Sequence, residues 1–282
     1  MAKQLRLRGM EPSDIPHCMR LKDISGWNQT SEDCLQFLKA SPEGCFVAET
    51  AQGRVVGSAT TIVYENRFAW IGMVLVDPEF RGQGIGTQLL VNARDHLDAK
   101  QVPCTKLDAT PQGKPLYQKL GFHEEYEIER FMLVRHGATA TVPVQLKSPH
   151  EVLDFDRHVF GADRSSILLY FAEQSPEFVL VEKGDGGWGG YCFGRKGSKA
   201  DQLGPWVAQD RISAQRLLEA FLSRSSRELV FVDLVKANRW AESLLTDRGF
   251  CFSRALTRMY YGRNLNPGQP DLLCAIAGPE FG

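Results

Sequence analysis

Short apolar stretches that favour β structure alternate with amphipathic ones along this chain. Residues 68–76, with the core Trp-Ile-Gly-Met-Val-Leu-Val, form one buried strand, and Asp77-Pro78 stops it because proline cannot donate to a sheet ladder. The period then changes. Over residues 85–100, Ile85, Leu89, Ala93 and Leu97 fall on one face of a helix. Upstream, residues 4–8, 45–49 and 55–64 read as strands. Residues 12–21 read as a helix with Pro12 near its first turn, and residues 30–38 as a helix opened by Thr30 with Asp33 three places on. Downstream, residues 105–109 form a strand, Thr110 caps a short helix with Pro111 at its first position, Gly121 ends that helix, and residues 122–134 form a long strand.

The second half repeats this layout. Residues 150–160 are helical; 178–183 and 188–194 are strands around a glycine-rich turn. A strand (202–207), a helix (212–222), a strand (229–235), a helix (238–247) and a strand (251–260) follow. Gly121-Phe122 and Gly249-Phe250 each come after a short helix and before a long strand, which marks an internal duplication. Residues 136–147 have no strong periodicity and contain Gly137 and Pro143, so the boundary between two domains, 1–137 and 138–282, is expected there.

Between the strand ending at Val76 and the helix from Ile85 stand Arg81, Gly82, Gly84 and Gly86. Strand, glycine turn, helix is an anion-binding geometry: helix N-terminal N–H groups carry about half a positive charge, glycines let the backbone approach a phosphate, and Arg81 adds a cation. A Walker loop is excluded, because Gly86 is followed by Thr87-Gln88 rather than Lys-Ser/Thr. A dinucleotide fingerprint would open a βαβ unit, whereas this turn follows three antiparallel strands. The spacing Arg81-x-x-Gly84-x-Gly86 after Val-Asp-Pro resembles the acetyl-CoA pyrophosphate loop of the GNAT N-acetyltransferase superfamily. The element order of the first 135 residues or so, βααβββαβαβ, is similar to the GNAT order, and Tyr117, four residues before Gly121-Phe122, matches a tyrosine that recurs there.

The resemblance implies an α/β protein of the α+β type: two tandem GNAT-like domains, each a mixed, mostly antiparallel sheet flanked by helices. It implies acetyl-CoA as co-substrate, held by Val74, Leu75 and Val76 on the strand and by Arg81, Gly82, Gln83, Gly84, Ile85, Gly86 and Thr87 on the loop. Within this set the Val74 N–H would serve the oxyanion and Val76 would meet the pantetheine arm. The acceptor would be the amine of a small molecule. An amine with a lysine-like pKa costs roughly 4 to 5 kcal/mol to deprotonate at neutral pH, so a proton acceptor is needed. The glutamate that histone-type members use corresponds to Trp70, which cannot act as a base. Asp108 on the neighbouring strand is the first substitute and a water chain the second; a strand-end carboxylate bonded to backbone is the other reading of Asp108. Tyr117 would protonate the departing thiolate, or else pack as a core aromatic. Trp27 and Trp70 would line the acceptor pocket by cation–π contact, or else pack in the core. The second half has no glycine between residues 208 and 212 and has Leu245 where the first has Tyr117, so it reads as a degenerate GNAT-like domain. A non-catalytic acyl-CoA-binding protein on the same fold is the competing reading.

Composition narrows the picture. With 43% hydrophobic residues, 24% charged residues and a net charge of −1, the chain is an ordinary globular one without the field that draws nucleic acid or an anionic membrane. Its longest apolar runs, such as 167–172, are far too short to span a bilayer, and its N-terminus lacks a signal-peptide core. Seven cysteines without a Cys-x-x-Cys pair read as buried free thiols of a cytoplasmic protein, and six scattered histidines give no metal-ligand spacing. The oligomeric state is open. Residues 271–277 are apolar enough for one more strand, and Glu280 and the terminus put two carboxylates at the chain end. The first half lacks a strand of its own after Val134. The tail therefore either belongs locally to the second domain or brings a carboxylate to the first domain's active site.

Overall fold

The computed structural model describes residues 5–135, 149–184 and 187–282; the expected domain boundary lies outside them. The first half contains β1 (Leu5–Gly9), α1 (Ile15–Ile24), α2 (Ser31–Ala40), β2 (Phe46–Thr50), β3 (Val55–Tyr64), β4 (Phe68–Val76), α3 (Ile85–Ala99), β5 (Cys104–Ala109), α4 (Lys114–Lys119) and β6 (His123–Val134). The second contains α5 (Leu153–Phe160), α6 (Ser165–Gln174), β7 (Leu180–Gly184), β8 (Gly187–Lys196), β9 (Asp201–Ala208), α7 (Arg211–Arg224), β10 (Leu229–Val235), α8 (Ala241–Thr246), β11 (Cys251–Gly262) and β12 (Leu273–Ala275). The α/β class with a largely antiparallel sheet is as expected; among the described residues the parallel pairs are β4–β5 and β9–β10.

Four local expectations are corrected. Pro12 belongs to a 3-10 turn ahead of α1. The short helix begins at Lys114, because the Thr110 side chain and carbonyl both accept from the Gly113 N–H and close a turn first. Helix α6 has no periodic signature in the sequence, because its run 167–172 is apolar without a polar stripe, and Ile167, Leu168 and Phe171 are all buried. Of the seven free cysteines, Cys251 is exposed rather than buried.

Among the described residues, twelve strands join one sheet in the order β1-β2-β3-β4-β5-β11-β6-β10-β12-β9-β8-β7. The two halves exchange their long last strands. β11 lies between β5 and β6, pairing Arg258 with Asp108 and Leu256 with Ile128; β6 lies between β11 and β10, pairing Val232 with Phe131. A strand of the second half thus lies beside β6 of the first. On one face of the sheet, α3 covers the first half through Ile85, Leu89 and Ala93, and α7 covers the second through Leu217, Leu218 and Phe221. On the other, residues of α1, α2, α5 and α6 share a single core with the chain end, where Phe281 stacks on Phe37 at 4.9 Å between ring centroids.

Candidate active site

A bulge in β4 opens the site. Thr60 pairs with Gly72 and Ser58 with Leu75, so Met73 and Val74 together oppose the single residue Ala59. Met73 takes the extra turn at φ 51°, and the Ser58 hydroxyl donates to its carbonyl at 2.8 Å. A bulge reverses the in–out alternation and bends its strand. Phe68 and Trp70 face the shared core ahead of it, and Met73 and Leu75 do so after it. β4 pairs with β5 only at Ala69–Thr105 and Trp70–Lys106; beyond, β5 stays paired with β11 on its other edge but diverges from β4, and the edge of Val74, Leu75 and Val76 stands free.

Asp77 pins the turn that follows. It is buried, caps the Glu79 N–H, and accepts from Arg20 and Arg54, each at 2.8 Å. Burial alone would raise its pKa; the two guanidinium groups and the N–H outweigh that and hold it below the usual carboxylate range. Gly82 and Gly84 then adopt φ 74° and 76°, and a Cβ on either would meet nothing within 4 Å, so their backbone faces open space ahead of α3. Arg81 is exposed and donates from Nε to the Val76 carbonyl at 3.2 Å. Val74, Leu75, Val76, Arg81, Gly82, Gly84, Ile85, Gly86 and Thr87 all border one groove with Tyr117; Gln83 is exposed and does not border it. Open glycine backbone, a helix N-terminus and one exposed arginine fit a pyrophosphate, and the free edge of β4 fits an extended amide-bearing arm.

A second, more closed cavity lies beyond this groove. Trp27, Val74, Thr110 and Tyr117 border both. The cavity's remaining walls are Ile71, Gly72 and Met73 of β4, Leu107 and Asp108 of β5, Arg254 and Leu256 of β11, Gln29, and Pro279 and Glu280 of the tail. The tail's strand is local to the second half, but its end is buried rather than solvated. β12 pairs with β9 and β10, local to the second half, and the seven residues after it cross to the first.

The crossing is built in detail. Trp70 Nε1 donates to the Pro279 carbonyl at 2.9 Å, Tyr64 to the Phe281 carbonyl at 2.7 Å, and Arg164 to the Gly282 carbonyl at 2.9 Å. A Cβ on Gly72 would meet the Glu280 Cα and carbonyl oxygen at 3.1 Å, so only glycine lets the tail lie this close to β4. Glu280 is 2% exposed; its Oε1 accepts from Arg195, which also holds Asp33 of α2, while its Oε2 has no protein partner. Neither the tail's route nor Glu280 as a cavity residue follows from local pattern.

The other named residues are placed as follows. Asp108 is at the cavity wall, with both oxygens engaged by Arg258 at 2.9 Å; burial pushes its carboxyl up and Arg258 opposes that. Trp70 is 1% exposed and outside the cavity lining, with the Arg258 guanidinium 4.4 Å from its ring centroid. Its cation is the protein's own. Trp27 is half-buried on the shared wall. Its loop is fixed by the next residue, Asn28, whose side chain bonds to Lys199 and Ala200 of the second half. Tyr117 packs on Phe122, and burial pushes its phenol up to about 12, so it stays protonated at neutral pH.

Comparison with known proteins fits this geometry. Two models described as acetyltransferase (GNAT) domain match residues 41–124 and 152–273. The chain is a tandem GNAT acetyltransferase. A holothin acyltransferase from Pseudoalteromonas sp. is 26% identical over 91% of this chain and 87% of its own length. The Bacillus subtilis protein YitH, an uncharacterized N-acetyltransferase, is 24% identical over 82% and 83%. A crystal structure from Pyrococcus horikoshii shares the fold with a TM-score of 0.83 at 22% identity, over 99% of this chain and 96% of the other. A GCN5-related N-acetyltransferase from Sphaerobacter thermophilus does so at 0.68 and 16%, over 94% and 96%.

The two GNAT domains differ at the place where a strand pair splays. In the second, β9 and β10 pair in parallel at Asp201–Val230, Gln202–Phe231 and Leu203–Val232 and then diverge, as β4 and β5 do in the first. β12 fills that gap: Ala275 pairs with both Trp206 and Leu234, and Leu273 with Val207. Bonds from Ala208 N–H to the Leu272 carbonyl and from Ile276 N–H to the Asp233 carbonyl extend the closure. The second domain's cleft is occupied by its own tail.

Proposed function

We propose that this acyltransferase moves an acetyl group from acetyl-CoA to the amine of a small molecule, and that the first domain alone performs the chemistry. The observation that carries this reading is the shared wall of Trp27, Val74, Thr110 and Tyr117. A thioester reaching along the groove and an amine in the closed cavity meet there. Arg81 and the turn from Gly82 to Gly86 would hold the pyrophosphate, and the free edge of β4 the pantetheine arm. CoA supplies the activated acyl group.

The chain's own residues would do the rest. Glu280 Oε2 takes the proton from the entering ammonium, in place of Asp108, whose oxygens are saturated by Arg258. Asp108 is then a positioning residue: it orients Arg258, which stacks on Trp70, which carries the tail. The Val74 N–H meets the developing oxyanion, and preorganised donors of this kind are worth about 3 kcal/mol in such reactions. Tyr117 donates a hydrogen bond, and in turn its proton, to the departing sulfur, and the second proton that the nitrogen loses on becoming an amide returns to the phenolate.

Thiol release from acetyl-CoA tests this on a panel of small amines. Because one relative is named an acyltransferase of holothin, longer acyl-CoA donors belong in the panel. Tyr117→Phe is expected to lower turnover about a hundredfold while CoA affinity stays within about twofold. CoA binding with no turnover across the panel favours the non-catalytic acyl-CoA-binding reading instead.

A further inference from the structure

Besides Thr110 and Tyr117, the closed cavity is bordered by Arg254 of β11, Glu280 of the tail, Asp108 of β5 and Gln29 of the loop before α2, from four separate segments. Asp108 is satisfied by Arg258. The other three are incomplete. Glu280 has Oε2 without a protein partner, and Gln29, 4% exposed, has Oε1 without one. Arg254 has a buried Nε without one, and among the described residues no carboxylate lies within ion-pair distance of it.

Arg254 is the informative member. On the sheet it stands opposite Arg130, whose own needs are met by Asp233 through two bonds of 2.7 and 2.6 Å. Its neighbour is thus a like charge whose counter-ion is already used. Burial and Arg130 pull its pKa down to about 10, which still leaves a cation at neutral pH. A half-buried cation beside another cation, on which Asp233 and Glu280 act only from beyond ion-pair distance, loses more by burial than its neighbours return. Its place on a cavity wall gives it a use: a guanidinium fork matches a carboxylate.

We propose that the acceptor is an amine that also carries a carboxylate, an amino acid or close analogue, with its carboxylate on Arg254 and its ammonium between Glu280 and Gln29. This deepens the acyl-transfer reading and rests on it. The ammonium lies where Glu280 can take its proton, and the one unpaired cation matches a monoanion better than a phosphate dianion. A plain alkyl amine leaves Arg254 desolvated and unpaired, and sites with buried polar groups discriminate strongly against ligands that leave them so.

The test uses the full chain at saturating acetyl-CoA. The acceptors are free L-amino acids, the matching amino-acid amides, the matching decarboxylated amines and one phosphorylated amino sugar. The acids are expected to exceed their amides and amines in kcat/KM by about tenfold or more. In Arg254→Gln that ratio should fall towards one, chiefly through KM, and Arg254→Lys should recover part of it. The melting temperature of Arg254→Gln should equal or exceed that of the wild type, the reverse of what a fold-supporting arginine gives. Equal or better use of the amides, plain amines or phosphorylated sugar overturns this inference and leaves acyl transfer standing. So does an acid preference that survives in Arg254→Gln. If no amine is acetylated although CoA binds, the acyl-transfer reading fails. Calorimetry of the acids with CoA present then decides the present one, with no Arg254-dependent binding overturning it.

Discussion

Trp70 and Pro279, 209 residues apart, are joined by a bond of 2.9 Å from the indole N–H to the proline carbonyl. Trp70 is thus a clamp for the segment that brings Glu280 to the cavity wall. Phe281, fully buried between Phe37 and Phe171, adds about 2 to 3 kcal/mol of apolar burial to the same seat. Trp70→Phe keeps an aromatic ring and removes the donor. We expect turnover to fall several-fold with CoA affinity retained. Deleting Pro279 to Gly282 should abolish most turnover, again with CoA affinity retained; normal acetyl transfer by the truncated protein would exclude the tail from the chemistry.

Glu280 and Asp108 separate by the kind of damage their loss causes. Glu280→Gln keeps the shape and removes the proton acceptor, so a drop of about a hundredfold or more in kcat is expected, with melting temperature nearly unchanged. Asp108→Ala leaves Arg258 buried without its counter-ion, which typically costs about 3 to 5 kcal/mol of stability. A thermal melt and a pH–rate profile on each variant check this. A large loss of kcat in a stable Asp108→Ala protein, with its acidic limb gone, would return the base role to Asp108.

At Gly84 the loop can be tested with little disturbance to the fold. Its φ of 76° suits glycine, and a Cβ there meets nothing in the protein. Gly84→Ala should therefore cost only the left-handed backbone strain, about 1 to 2 kcal/mol. A methyl group standing where a pyrophosphate must approach should weaken CoA binding at least tenfold. Calorimetry showing wild-type affinity in a folded Gly84→Ala protein would remove the loop from the binding site.

Much of this was legible in the sequence, because the signals were local. The apolar run closed by Asp77-Pro78, the Arg81 spacing and the one-sided apolar stripe of α3 each lie within a few residues. Their physical consequences, a strand end, an open turn and a buried helix face, arise in place. What stayed hidden depends on pairing over distance. Nothing near Val134 says that β11 will lie beside β6, and nothing near Glu280 says that Gly72 will leave room for it. Asp108 shows the same limit: a carboxylate beside the reaction centre is a plausible base until Arg258, 150 residues on, occupies both oxygens.

The occupied cleft of the second domain gives the last prediction. In the first domain the gap beyond Trp70–Lys106 is free for an extended ligand; in the second the equivalent gap beyond Leu203–Val232 is filled by β12. A pantetheine arm would have to displace Leu273 to Ala275, whose side chains are all buried, and break their pairing on both sides. The turn at 208–211 ahead of α7 also lacks glycine, and Asp210 there caps the Ser213 N–H at 2.8 Å, placing a carboxylate where a phosphate would have to sit. Like charges at a helix N-terminus repel, so the dipole that attracts an anion in α3 is already neutralised in α7. Titration of the full chain with CoA should therefore give one site per chain, and Gly84→Ala should weaken that site without revealing another. A stoichiometry of two, with one site indifferent to Gly84→Ala, would show that the tail yields to ligand and that the second domain still binds.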